Sequence, residues 1–145
     1  MRRDRKNALN QPTSAQRETA RRLLAQEGAA NSPAEAAAAA GRAFDKLHAH
    51  LAPLIGAAGV QALLVRSAML RHGEFSFLEA SILENATKLR ECLQAQEATV
   101  ATEAAAALLE TFFALITTFI GERLTTQALR GAWPMLEATP PSETR

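Results

Sequence analysis

The stretch LLETFFALITTFIGERL, residues 108–124, constrains this chain more than any other feature. Its apolar content admits three readings: a membrane span, a core helix, or a surface for a partner. On a helical wheel stepped at about 100° per residue, Ala104, Ala105, Leu108, Leu109, Phe112, Phe113, Leu115, Ile116, Phe119 and Ile120 fill one arc of about 180°. Glu103, Glu110, Thr111, Thr117 and Thr118 fall opposite, with Ala106, Ala107 and Ala114. A spanning helix needs roughly 20 predominantly apolar residues without such a stripe. Glu110 near its middle would cost a few kcal/mol. The spacing therefore predicts the central helix of a bundle, over about 99–120, and no membrane span.

The back of this helix is made of small residues and carries no Lys or Arg before Arg123. A stripe of Ala and Thr lets another helix approach closely. We expect a homodimer interface there, at Ala107, Glu110, Thr111, Ala114 and Thr118, because most soluble oligomers are symmetric. Trp133, in the C-terminal segment ERLTTQALRGAW, is a candidate anchor for a partner, although a tryptophan closing the core is the plainer reading.

Helix punctuation divides the rest. Thr13-Ser-Ala-Gln16, Ser32-Pro-Ala-Glu35 and Ser76-Phe-Leu-Glu79 each have the form of a capping box, and Pro33 suits a first helical position. Gly28, Gly73, Gly131 and Pro134 read as stops. The expected helices cover about 14–27, 33–52, 58–72, 77–95, 99–120 and 122–132, with a short turn of helix from Pro53 to Gly56. Within the fourth, Leu78, Ile82, Ala86, Leu89 and Leu93 form a narrow apolar stripe, and the third is broadly apolar from Val60 to Leu70, with Arg66 read as snorkelling from the core edge. No window alternates with period two, so no strand is expected. The fold class is thus all-α: a bundle of five or six helices forming one domain over 13–133, with flexible ends at 1–12 and 134–145. LIGAAGVQALLVRSA (54–68) echoes FIGERLTTQALRGAW (119–133), each an apolar pair, a glycine and a short amphipathic helix. Chance likeness between two Ala/Leu-rich helices is the simpler account, and two related helix–Gly–helix corners the alternative.

Charge is uneven. Residues 1–30 hold seven basic and three acidic residues, a net +4, which leaves −3 for the remainder of a chain totalling +1. A basic arm of Arg2, Arg3, Arg5, Lys6, Arg17, Arg21 and Arg22 on an acidic body suits nucleic acid, but it contains no dense basic run. A solvated terminus is the plainer expectation. The start lacks an apolar segment of the secretory kind, and Cys92 is alone, so a cytoplasmic protein without disulfides is expected.

Candidate chemistry is sparse. His48 and His50 are two residues apart and diverge on a helix, whereas one metal needs the i, i+4 spacing. His72 reads as a cap before Gly73. His48 precedes Pro53-Leu54 at the spacing that resembles the phospho-acceptor helix of sensor histidine kinases. Ala49 stands where that family has an acidic residue, and no Lys-Gly pair follows, so phosphorelay is not expected. Cys92 flanks an apolar stripe and reads as a packing residue. No nucleophile elbow, phosphate loop or dinucleotide fingerprint is present. The sequence leads to a non-enzymatic protein-interaction or regulatory domain, without metal or cofactor. The alternatives are nucleic-acid binding through the arm, or a small-molecule sensor with an apolar pocket between helices.

Overall fold

Thr13 opens the first helix by accepting a hydrogen bond from the Gln16 N–H at 3.1 Å, while Gln16 Oε1 accepts one from the Thr13 N–H at 2.9 Å. The reciprocal pair satisfies two donors that a helix start otherwise leaves free. The computed structural model describes residues 12–28 and 32–134. Among these residues lie six α-helices and no strand. They are α1 (Ser14–Gln26), α2 (Pro33–Ile55), α3 (Ala57–Leu70), α4 (Ala86–Gln94), α5 (Ala98–Ile120) and α6 (Glu122–Ala132), with a 3-10 turn at Ala80–Leu83. The chain is therefore an all-α bundle, as its periodicity predicts. The expected basic arm and C-terminal tail fall almost wholly at residues 1–11 and 135–145, outside the described residues.

Helix α5 is long and apolar enough to cross a membrane, with mean hydropathy 1.6, yet 72% of that apolar window is buried inside the bundle. All five other helices pack against it. Its residues from Ala104 to Ile116 are buried on every side, wider than the half-circle read from the wheel. The small residues on its back are the reason: they give neighbouring helices of the same chain a close seat.

Two boundaries differ from expectation. Helix α2 runs through Pro53 to Ile55 without a break. The expected helix over 77–95 is instead the 3-10 turn followed by α4, and the cap is Asn85, whose Oδ1 accepts from the Lys88 N–H at 2.8 Å. Ser76 starts no helix. On a regular helix Leu78 and Leu83 would stand about 140° apart. The break lets both bury, at 1% and 0% exposure, together with Leu89 and Leu93. In α3 the apolar run is less buried than its composition suggests: Val60, Leu64, Ser67 and Ala68 face inward, while Met69 and Leu70 are exposed. Arg66 is exposed as well.

The echo between 54–68 and 119–133 is structural. Pro33 to Ala98, Ile55 to Ile120 and Gly56 to Gly121 are all steps of 65 residues, so α2 and α5 match end to end at 23 residues each. The buried positions coincide under the same step: Ala36 with Ala101, Ala39 with Ala104, Ala40 with Ala105, Phe44 with Leu109, Leu47 with Phe112 and Leu51 with Ile116. After the glycines, Val60 matches Thr125 and Leu64 matches Leu129. Both corners use the same backbone, φ 86° and ψ 150° at Gly56 against φ 94° and ψ 157° at Gly121. Only glycine occupies that region readily. Helix packing is exchanged between the halves. Helix α1 packs mainly on α5 and α4 mainly on α2, while α3 and α6 each pack on both long helices. The fold is thus two similar three-helix units, each covering the other's long helix.

Candidate ligand cleft

The start of α1, the end of α5 and helix α6 enclose a cleft of about 250 Å³. Phe113 and Leu129, both buried, give it an apolar floor. Thr13, Gln16 and Thr19 line it from α1, Thr117 from α5, and Glu122, Thr125 and Thr126 from α6. The Thr125 hydroxyl donates to the Gly121 carbonyl at 2.9 Å and is spent within the corner. Among the described residues no hydrogen bond engages the hydroxyls of Thr19, Thr117 or Thr126. Each is a donor with two acceptor lone pairs. A concave apolar floor with a few polar groups at its wall is the general form of a binding site. On the same corner Phe119 and Leu124 are 64% and 40% exposed.

The first half shows the same place filled. Under the 65-residue step, the cleft residues Phe113, Thr125, Thr126 and Leu129 correspond to His48, Val60, Gln61 and Leu64. There the segment preceding α4 unwinds into the 3-10 turn, packs on α3 and buries Leu83 completely. Gln61 Nε2 donates to the Leu83 carbonyl. In the second half α1 runs straight from Ser14 as regular helix, so among the described residues no turn drops onto α6. The cleft is the space that difference leaves open.

At the far ends of the same two walls lies a buried polar cluster. Glu27, at the end of α1, accepts from Trp133 Nε1 at 2.7 Å, from Lys46 Nζ, and from Arg42 Nε at 3.3 Å. Arg42 also donates to the Glu27 carbonyl. The Lys46 ammonium stands 5.5 Å from the centre of the Trp133 ring. Burial pushes the Glu27 carboxyl up, but the donors from Lys46, Trp133 and Arg42 outweigh it and hold the group below its ordinary value.

The structure does not bring the expected interface residues to a surface. Ala107, Glu110, Thr111, Ala114 and Trp133 are 3%, 5%, 1%, 4% and 1% exposed within the chain's own fold. Only Thr118 is exposed, its hydroxyl donating to the Ala114 carbonyl at 3.0 Å. Arg71 covers part of that back, donating to Thr111 Oγ1 at 3.0 Å and standing 3.7 Å from Glu110 Oε1. A face already covered has nothing to give a second copy, so the expected interface is corrected. Trp133 is a core residue. Of the candidate nucleic-acid contacts, Arg17 and Arg21 are exposed on α1 and Arg22 is half-buried. Arg2, Arg3, Arg5 and Lys6 lie outside the described residues.

No family model, curated protein or solved structure matches this chain.

His48 is half-buried, with its ring 4.8 Å from that of Phe44 and its Nε2 buried without a partner among the described residues. Burial pulls its pKa down against the opposing pull of Asp45 and Gln61. His72 Nδ1 lies 3.1 Å from the Leu78 carbonyl. Burial, reinforced by Glu79, pushes the Cys92 thiol up, which disfavours the thiolate. Among the described residues no three His, Cys, Asp or Glu side chains are grouped to hold a metal. The apolar space at the centre, between Phe44, Leu47, Leu64, Leu89 and Leu108, is about 10 Å³, room for about one water and for no ligand. The Thr-lined cleft is legible only in part: the segment ERLTTQALRGAW reads as a contact element, with Trp133 and not its threonines as the anchor.

Proposed function

We propose that this chain is a non-enzymatic interaction domain that takes part of a protein partner into the cleft between α1, α5 and α6. One observation carries the reading: the place that the chain's own Leu83 turn fills in the first half stands open, among the described residues, in the second. The exposed Phe119 and Leu124 beside it support the same site, since large apolar groups grouped at a rim favour association. The buried candidates on the back of α5 take no part. A random-peptide library displayed against the immobilised full chain tests the proposal. Enriched sequences are expected to lose binding to the Thr126→Trp and Phe119→Asp variants, which keep the wild-type melting temperature. No enrichment, or binding that survives both substitutions, overturns it.

A further inference from the structure

Resting on that reading of the cleft, we infer that its occupant is a peptide presenting a leucine-type side chain next to a backbone carbonyl. The first half supplies the template. There the corner helix α3 receives a turn of chain whose Leu83 is fully buried and whose Leu83 carbonyl accepts from Gln61. The contact holds a peptide carbonyl and buries the leucine that carries it.

The second half keeps both halves of that recognition, and among the described residues no turn of chain meets them. Leu129 and Phe113 stand where Leu64 and His48 stand, so the floor is more apolar than its counterpart. Thr126 stands at the position of Gln61, and its hydroxyl forms no hydrogen bond among the described residues. It is a donor at the place where the counterpart donor serves a carbonyl. Of the lining residues only Glu122 is charged, and it sits at the first position of α6. Among the described residues a carboxylate ligand therefore meets a like charge and no paired cation, whereas a neutral amide meets hydroxyls. The corner presents Phe119 and Leu124 outward, which extends the apolar surface beyond the volume that one side chain fills.

The probes are small blocked amides titrated into the isotope-labelled full chain and followed by NMR. N-acetyl-leucinamide is expected to shift the resonances of Phe113, Thr117, Thr126 and Leu129 saturably, with N-acetyl-alaninamide about tenfold weaker, because the removed methyl groups no longer leave water. Thr126→Val, which keeps the shape and removes the donor, is expected to weaken leucinamide about fivefold. Thr126→Gln, which restores the first-half residue, is expected to recover that loss. Blocked Ala-Leu-Ala is expected to bind more tightly than leucinamide. Equal binding of alaninamide, no effect of Thr126→Val, or an absence of shifts at the cleft overturns the inference. Tripeptide binding no tighter than leucinamide makes this a site for a single amino-acid derivative and overturns the peptide assignment. Displayed peptides that need the cleft but contain no branched aliphatic residue would leave the interaction reading standing and overturn only this one.

Discussion

Trp133 donates its indole N–H to the buried carboxylate of Glu27 at 2.7 Å across 106 residues of sequence. The bond ties the end of α1 to the residue that closes α6. These are the helices whose opposite ends wall the cleft, so one contact fixes both walls at their base.

Trp133→Phe keeps most of the apolar bulk and removes that donor. Glu27, 7% exposed, is left one hydrogen bond short, and the expected loss is about 1–3 kcal/mol in urea unfolding at pH 7. Because the folded-state carboxyl sits below its ordinary value near 4.5, its stabilisation is present above that value and is lost as pH falls through the lower folded value. The variant should show a smaller loss on acidification. An unchanged midpoint and an unchanged acid limb would dismiss the cluster as a determinant of stability.

His48 acts at a higher pH. Its folded pKa lies below the ordinary 6.5, so the folded state binds fewer protons than the unfolded state between the two values. Stability should be full above about pH 6.5 and should decline as the pH falls below it. His48→Phe, the residue type at the matching position 113, should flatten that decline. Parallel pH profiles for the variant and the wild type would rule His48 out as its source.

Arg71 and Glu110 form a pair in which removing one member should cost more than removing both. Arg71→Ala leaves Glu110, 5% exposed, without its cation, at an expected cost of about 3 kcal/mol. Adding Glu110→Leu should restore a substantial part. Strict additivity of the two costs in a double-mutant cycle would show that the pair is not coupled.

Gly56 and Gly121 occupy equivalent corners. Alanine at either should cost about 1–3 kcal/mol from backbone strain alone, because neither glycine has an atom within 4 Å of an added Cβ. Thermal unfolding of Gly56→Ala and Gly121→Ala should therefore give similar losses. A loss at one corner only would undo their structural equivalence.

Ala114 and Phe119 lie five residues apart on α5, yet they should respond oppositely. Ala114→Glu places a charge in the core and should abolish the far-ultraviolet signature of the helical fold, not merely dissociate a dimer. Phe119→Ser, at a residue 64% exposed, should leave stability within about 0.5 kcal/mol. Light scattering then checks self-association: a mass that drops on Phe119→Ser places a second copy at the corner, and a folded, monomeric Ala114→Glu chain would reinstate the back of α5 as an interface.

Local chemistry was legible from the residues alone where it needs only near neighbours. The Thr13 capping box, the Pro33 start, the extent of α5 and the all-α class follow from spacing and hydrogen-bonding groups within a few positions. The echo at Gly56 and Gly121 was visible too, although repeated Ala and Leu blurred it. Other features depended on which helix arrived beside which. Amphipathicity tells how apolar a face is, not what covers it. So Ala107 and Ala114 read as a subunit interface until their own chain was seen to close over them. The break before α4 required knowing that Leu78 and Leu83 both reach the core. Nothing beside Glu27 in the sequence announces Trp133, which reaches it across 106 residues. The cleft is a difference between two copies of one arrangement, a straight α1 against an unwound turn. Such a difference exists only once both halves have packed.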